Sequence, residues 1–232
     1  MPPSKTTSTC SPVICLGFDP SLSNFGWALH DTAQPVGTPT RCLESGRFQT
    51  SSRTLFIDRY MDLREHVRAL VDRVGATYGV SRIGVEYPIF HDLYSEGLYG
   101  LFLYNCEALK AAKMDVVFFS PGQVKVHAAA ALGRPKGWKM GKPDMVEAAK
   151  ADMGGGKAKN HNEADAYFIA VAAGRFWNYY DGNLKDADLT PAETKQFTEI
   201  HTYQRGAKVG KVVHKGIIYN EDRRYFQWSK EF

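Results

Sequence analysis

Three acidic side chains stand at the ends of predicted secondary-structure elements, and their positions indicate a metal-dependent site. Asp19 follows the apolar run 13–18, and Glu86 follows the short apolar run 83–85. Asp165 stands in the first turns of a predicted helix. If the two strands are neighbours, their acids meet at one sheet edge, and the helix adds the third acid. Because carboxylates so close together repel one another, a divalent cation is the most effective way to stabilise them.

Oxygen ligands of this kind favour Mg²⁺, for which Mn²⁺ is a natural substitute. Two such ions can activate a water molecule and stabilise the leaving oxygen of a phosphodiester. A simpler alternative exists for Asp19, because Asp19-Pro20-Ser21 favours turn initiation and the carboxylate could merely cap that turn. The second and third acids favour the metal site over this alternative.

The elements that must position these acids follow from hydrophobic periodicity and from glycine and proline breakers. Their order predicts an α/β fold with a mixed five-stranded sheet, an antiparallel meander plus parallel strands, and helices on both faces. The predicted strands are two within 13–31, one at 42–49, one at 82–86 and one at 115–120. The predicted helices begin at an N-cap at Ser51-Ser52 and end at Gly79, and then cover about 95–113, 123–132, 143–153 and 162–180.

The chain divides into three predicted parts. Residues 1–12 are rich in Pro, Ser and Thr without an apolar core, which indicates a disordered tail rather than a signal peptide. Residues 13–181 form the folded domain that carries the acids. Residues 182–232 are expected to form a polar linker and a basic, β-rich appendage with a hairpin.

Composition adds weak constraints. The net charge of +4 is mild evidence for an anionic partner. The four cysteines have no metal-ligand spacing and suit reduced packing residues of an intracellular protein; they are Cys10, Cys15, Cys42 and Cys106. No run of residues is long and apolar enough to span a membrane.

Five short motifs, taken in order, resemble those of RuvC-type Holliday junction resolvases, which belong to the RNase H-like nuclease superfamily. Any one motif is weakly specific, but the series covers about residues 13–180 with matching spacing. The motifs are Gly17-Phe18-Asp19-Pro20-Ser21-Leu22 with Gly26, then Val85-Glu86, Ser120-Pro121 with Val124-Lys125, Gly141-Lys142 with Met145-Val146, and Glu163-Ala164-Asp165-Ala166.

The resemblance implies a homodimeric, Mg²⁺-dependent endonuclease that nicks four-way DNA junctions in the cytoplasm of a bacterial cell or of a phage-infected host. It makes Asp19 the ligand shared by two metals, Glu86 the ligand of the metal near the attacking water, and Asp165 a ligand of the other metal. The long C-terminal appendage is more similar to a phage-encoded variant than to the housekeeping form.

The family usually adds a fourth polar group one helical turn before the last acid. Asn162 and His161 precede Asp165 by three and four residues, so both project onto nearly the same helix face. We interpret Asn162 as a candidate metal ligand and His161 as a ligand or as the proton donor to the leaving oxygen. A surface role near the helix N-terminus is the alternative for His161. Glu163 is expected to point away and be solvated.

Basic and aromatic residues supply a predicted DNA surface. Lys125 and Lys142 match family positions near the DNA backbone, and Lys142 precedes a helix N-terminus, which favours phosphate. The loop before it adds charges that could equally belong to an ordinary solvated surface, and the family uses an aromatic residue after the second acid to wedge the junction open. These candidates are Arg134, Lys136 and Lys139, with Trp138 available for stacking, and Tyr87 or Phe90 as the wedge, for which core packing is the alternative.

Three other functions are compatible with parts of this pattern. A related nuclease could act on other branched DNA such as flaps or forks, and a DNA-binding module could use the same basic surface without catalysis. An actin-like phosphotransferase also places an aspartate after a strand, but Pro20-Ser21 replaces the expected glycine spacing and the chain is too short for two such lobes.

Overall fold

A computed structural model describes residues 13–87, 95–135, 137–155, 158–197, 200–202, 212–214 and 217–219. It contains eight strands and six α-helices within these residues. In chain order they are β1 (Ile14–Asp19), β2 (Asn24–Asp31), β3 (Cys42–Gln49), α1 (Phe56–Tyr78), β4 (Arg82–Glu86), α2 (Ser95–Ala111), β5 (Asp115–Phe119), α3 (Pro121–Ala131), α4 (Lys142–Asp152), α5 (His161–Tyr180), α6 (Pro191–Phe197), β6 (Ile200–Thr202), β7 (Val212–His214) and β8 (Ile217–Tyr219).

The main sheet has the strand order β3-β2-β1-β4-β5-β8. Strands β1, β2 and β3 form the predicted antiparallel meander, and β4 and β5 continue it as parallel strands. The predicted mixed five-stranded sheet is therefore confirmed. The C-terminal segment adds β8 as a sixth strand, antiparallel to β5, while β6 and β7 pair separately. Part of the appendage thus belongs to the main sheet.

Two hydrophobic cores lie on opposite faces of this sheet, as the predicted three-layer arrangement requires. On one face, α1 and α2 pack around Leu63, Val67 and Ile83, which are fully buried. On the other face, α3, α4 and α5 pack around Ala148, Tyr167 and other buried side chains. The acids lie on this second face.

Helix α5 approaches the sheet closely because glycines line its path. A Cβ atom at Gly26 of β2 would lie 2.6 Å from the carbonyl carbon of Asn162, and one at Gly17 of β1 would lie 2.5 Å from the amide nitrogen of Ala170. A Cβ atom at Gly84 of β4 would lie 2.8 Å from the Cβ atom of Ala173. Only glycine permits such contact between a strand and a helix backbone.

Helix boundaries agree with the sequence except at two N-termini. The predicted cap at Ser51-Ser52 is wrong: helix α1 begins at Phe56, and the Ser51 hydroxyl accepts a hydrogen bond from the Arg53 amide in the preceding turn. Gly79 ends α1 in the left-handed conformation, with φ of 68°. Helix α3 begins at Pro121, whose fixed φ suits a first helical position, rather than two residues later.

The segment 182–232, predicted as a linker and a β-rich appendage, contains a helix that packs against the folded core. In α6, Glu193 accepts hydrogen bonds from Arg175 of α5 at 2.7 and 3.0 Å. Phe197 joins the core formed by α3, α4 and α5. None of the helices described here is long and apolar enough to cross a membrane.

Candidate active site

Strand pairing brings the first two acids together. In the parallel pair of β1 and β4, Gly17 lies opposite Gly84 and Phe18 lies opposite Val85. Asp19 and Glu86 are the next residues, and they end their strands side by side. Side chains two residues apart share a face of a strand, so both acids lie on the face where the glycines contact α5. The sequence prediction that they converge at one sheet edge agrees with this arrangement.

The start of α5 places Asp165 over the same edge. Asn162 contacts Gly26, which pairs with Asp19, and the carbonyl oxygen of Ala166 lies against Gly17. Asp165 stands between these two anchoring positions. One turn of helix therefore carries the third acid to the ends of β1 and β4.

A buried capping network holds this turn, and it corrects one sequence expectation. Asn160 accepts a hydrogen bond from the Glu163 amide at 3.1 Å and donates one to the Glu163 carboxylate at 2.7 Å. The same carboxylate accepts a hydrogen bond at 3.0 Å from Ser45 of β3. Glu163 is only 4% exposed, so the expectation that it is solvated is wrong. Its carboxylate joins the helix N-terminus to the sheet.

The three acids share an environment that opposes ionisation. Burial and repulsion from Glu86 and Asp165 raise the pKa of Asp19 well above its usual range. Burial and repulsion from Asp165 raise the pKa of Glu86 to about 7. Burial raises the pKa of Asp165 to about 6. The carboxylates thus lie near enough to one another to couple electrostatically.

Two predicted DNA-contacting lysines flank these acids. The positive charge of Lys142, at the N-terminus of α4, opposes the upward shift in the pKa of Asp19 and of Asp165. Lys125 of α3 does the same for the pKa of Glu86 and of Asp165. Neither lysine forms an ion pair with these acids among the described residues. Both are therefore positioned to meet an anionic substrate.

The donor chemistry of the site fits a hard divalent cation. In the part of the chain that the structure describes, the partly buried carboxylates of Asp19, Glu86 and Asp165 engage in no hydrogen bond or ion pair, so their oxygens are available to a cation. Within the same residues, no three His, Cys, Asp or Glu side chains are gathered at metal-binding spacing. Carboxylate oxygens are nevertheless the donors that Mg²⁺ and Mn²⁺ prefer.

The two candidates for a fourth polar group occupy different environments. Asn162 is buried against Gly26 of β2, which is the residue that pairs with Asp19. His161 is half-buried, and its burial together with the charges of Lys142 and Arg47 lowers its pKa. His161 therefore lies close to the basic side chains of Lys142 and Arg47. Their roles as ligand and proton donor stay predictions.

The remaining DNA-binding candidates divide by position. Tyr87 is 5% exposed and packs edge-on against Phe102 and Phe118, which favours core packing over a DNA wedge. Phe90 and Lys136 lie outside the described residues. Lys139 is exposed in the loop before α4. In the same loop the Arg134 guanidinium lies 5.0 Å from the centre of the exposed Trp138 ring.

Two features of this site were missed from the sequence. The first is the pattern Gly-x-acid, which occurs at Gly17-Phe18-Asp19 and at Gly84-Val85-Glu86. It marks both strands as passing under a helix just before their acid. The second is Arg47 of β3, whose charge acts on His161. Only the register between β2 and β3 reveals its position.

A separate cavity of about 720 Å³ lies between the loop that follows β2 and helices α3, α5 and α6. It contains none of the three acids. Its charged side chains are already paired, Arg41 with Asp152 and Arg175 with Glu193, each at 2.7 Å. The cavity is therefore distinct from the acidic site, which lies at the carboxyl ends of β1 and β4.

Comparison with known proteins supports the fold. No protein-family model and no curated protein sequence matches the chain. Among solved structures, RuvC of Thermus thermophilus in complex with Holliday junction substrate is similar with a TM-score of 0.53, at 18% identity, over 75% of this chain and 98% of that one. A second structure of Thermus thermophilus RuvC gives a TM-score of 0.53 at 19% identity, over 73% and 97% of the two chains.

The strand order, the helices on both faces and the acidic sheet edge define an RNase H-like α/β fold. Within that class, the similarity over nearly the whole of both RuvC structures assigns the chain the RuvC-type fold.

Proposed function

We propose that this protein is a structure-selective endonuclease that resolves four-way DNA junctions by Mg²⁺-dependent hydrolysis of phosphodiester bonds. The observation that carries the proposal is the set of three partly buried carboxylates on β1, β4 and α5, which have no hydrogen-bond or ion-pair partner among the described residues and are flanked by Lys125 and Lys142. Acids whose ionisation is unfavourable, next to lysine side chains that have no ion-pair partner, are typical of functional sites. A purely structural cluster would be expected to pair its charges internally.

In this mechanism the acids hold the metal and the lysines hold the substrate. As the family resemblance implies, Asp19 would be the shared ligand, Glu86 would hold the metal near the attacking water and Asp165 the other metal, with Asn162 as a candidate additional oxygen donor. Bound Mg²⁺, or Mn²⁺ in its place, would supply charge that activates the attacking water and stabilises the leaving oxygen. Lys125 and Lys142 would orient the phosphodiester, and His161 would give a proton to the leaving oxygen.

The decisive test removes one acid without changing its shape. We expect Asp19→Asn to keep binding to a synthetic four-way junction while losing Mg²⁺-dependent nicking by at least about a hundredfold, since metal charge contributes several kcal/mol to the transition state. Asp72→Asn is the matched control, because Asp72 is exposed on α1, on the opposite face of the sheet. An unchanged nicking rate in Asp19→Asn would contradict the assignment of Asp19 to the metal site, whereas a wild-type protein that binds the junction without nicking it would favour the DNA-binding module without catalysis.

Substrate choice requires a separate comparison. We expect faster cleavage of a four-way junction than of matched fork, flap and duplex substrates that share the cut sequence. The RuvC structure with bound junction substrate has a similar fold, which supports this order. If forks or flaps are cut at least as fast as the junction, the protein is a nuclease of other branched DNA and the assignment as a junction resolvase is wrong.

We also propose that the protein acts as a homodimer, since a four-way junction presents two symmetry-related strands to cut. An apolar surface suits this role at the N-terminal end of α1 and on α2; it consists of Leu55, Phe56, Ile57, Met61 and Leu103, which are 44–71% exposed. We expect the double variant Ile57→Glu, Met61→Glu to sediment as a monomer, whereas Val36→Glu, at an exposed valine outside this surface, should leave a dimer. A monomeric wild-type protein would contradict the proposal.

A further inference from the structure

Arg47 lies level with Asp19, the first proposed catalytic acid, across the strands of the sheet. In the antiparallel meander, Arg47 of β3 is directly opposite Gly26 of β2, and Gly26 is directly opposite Asp19 of β1. Directly opposed residues in a sheet project to the same face. Gly26 has no side chain, and the backbone of Asn162 packs on it, so Arg47 and Asp19 lie on either side of the first turn of α5.

An independent contact shows that this is the face covered by α5. Ser45 of β3 donates a hydrogen bond to Glu163 at 3.0 Å, which places the start of α5 over β3. Arg47 is two residues further along β3, so it projects to the same face, about 7 Å closer to the end where the acids lie. Its charge reaches the ring of His161, the first residue of α5.

Arg47 has no internal partner among the described residues. Its side chain is exposed, and no ion pair or hydrogen bond in those parts of the chain engages it. Other arginines of the domain are paired with acids: Arg41, Arg64, Arg73, Arg82 and Arg175. An exposed arginine without an internal partner, two strands away from Asp19, has its guanidinium available for an external anion.

We propose that Arg47 binds a backbone phosphate of the DNA strand that enters the active site, next to the phosphodiester that is cut. Lys125 and Lys142 come from α3 and α4, whereas Arg47 comes from the β3 edge, so the three cations approach the acids from different elements. A planar guanidinium suits a phosphate because it can donate two parallel hydrogen bonds. This inference rests on the proposed nuclease function and adds a phosphate contact that none of the sequence motifs contains.

The test measures junction binding in EDTA, where cleavage cannot occur, over a range of salt concentrations. We expect Arg47→Gln to weaken binding by about tenfold, the size of a lost charged hydrogen bond, and to reduce the slope of log affinity against log salt by about 0.9. Arg68→Gln, at an exposed arginine on α1, should change neither. Arg47→Lys should restore the salt slope with only part of the affinity, because it keeps the charge and loses the paired donors.

Methylphosphonate substitution then locates the contact. Neutral linkages are placed one at a time on either side of the cut site. At one of them, wild type and Arg47→Gln should bind with equal affinity, since the phosphate that Arg47 needs is already neutral.

Three results would overturn the inference. They are an unchanged salt slope in Arg47→Gln, a loss of affinity in Arg47→Gln that is the same at every neutral linkage, or a loss that depends on the base sequence of the junction, which would indicate a base contact. If wild-type protein itself fails to bind branched DNA, the proposed function fails instead, so the two failures can be distinguished.

Discussion

Gly17 and Gly84 lie directly opposite each other in the parallel pair of β1 and β4, and each precedes a site acid by two residues. Together they form a flat surface on which the backbone of α5 rests, with Ala166 and Ala170 over Gly17 and Ile169 and Ala173 over Gly84. The glycines therefore determine how close Asp165 comes to Asp19 and Glu86. The relative positions of the three acids therefore depend on residues that carry no functional group.

Substituting Gly17 tests this dependence. In Gly17→Ala the new Cβ atom would overlap the carbonyl oxygen of Ala166, so α5 must move away from the sheet. We expect a loss of about 1–3 kcal/mol in the free energy of unfolding, measured by urea denaturation, and a loss of nicking activity. Gly122→Ala is the control, because no atom lies within 4 Å of its Cβ position; it should be neutral or slightly stabilising. Equal stability of the two variants would contradict the close packing of α5.

Metal binding and pH should both act on the stability of the protein through the acids. The folded-state pKa of Glu86 is about 7 and that of Asp165 is about 6, both above the ordinary values of 4.5 and 3.8. In EDTA, the contribution of these two groups to the free energy of unfolding is then fully present below about pH 4. It is lost as the pH rises toward 7, because the unfolded chain ionises these groups at lower pH than the folded chain does. Glu86→Gln should flatten this decline, as measured by urea denaturation at several pH values.

Binding of Mg²⁺ should offset the loss of stability that the ionised acids cause. At pH 7.5, Mg²⁺ at a hundred times its dissociation constant should add about 2.7 kcal/mol to the free energy of unfolding. Glu86→Gln and Asp19→Asn should reduce this gain, while Asp72→Asn should keep it. A gain that is identical in all four proteins would indicate metal binding elsewhere.

The individual strands and most helices were predictable because the signals involved were local. Apolar runs bounded by Gly79, Pro88 and Pro121 defined the strands and most helix ends, and the acids stood at strand ends within those runs. Confirmation of the mixed sheet follows from such short-range patterns. The roles of Asp19, Glu86 and Asp165 in binding metal, like the phage origin, stay predictions.

Residues whose environment depends on long-range register escaped the sequence reading. Glu163 was expected in solvent because it is two positions from Asp165, yet the approach of β3 brings Ser45 to its carboxylate. Tyr87 followed an acid and was a wedge candidate, but the chain turns it into the core beside Phe102. Periodicity shows which face a residue occupies and gives no information about what covers that face.

Removing the charge of Lys142 should alter the acid limb of catalysis. Lys142 opposes the upward shift in the pKa of Asp19 and of Asp165, so Lys142→Met should raise the pKa of both acids further. If nicking requires ionised carboxylates, the acid limb of the pH–rate profile moves to higher pH. Lys150→Met, in the last turn of the same helix, is the control and should leave the profile unchanged. A shift to lower pH in Lys142→Met would contradict the placement of its charge.

The cap of α5 should matter for both stability and activity. Asn160→Ala removes the acceptor of the Glu163 amide and the donor to its carboxylate, and N-cap losses cost about 0.5–2 kcal/mol. We expect a nicking rate that falls more than global unfolding explains, because the frayed turn carries His161 and Asp165. Thr190→Ala is the matched control: Thr190 caps α6 by accepting the Glu193 amide, away from the acids. It should lose similar stability while its nicking rate, measured well below the melting temperature, stays that of wild type. If both variants lose activity in proportion to stability, the cap holds the fold and has no separate effect on the position of Asp165.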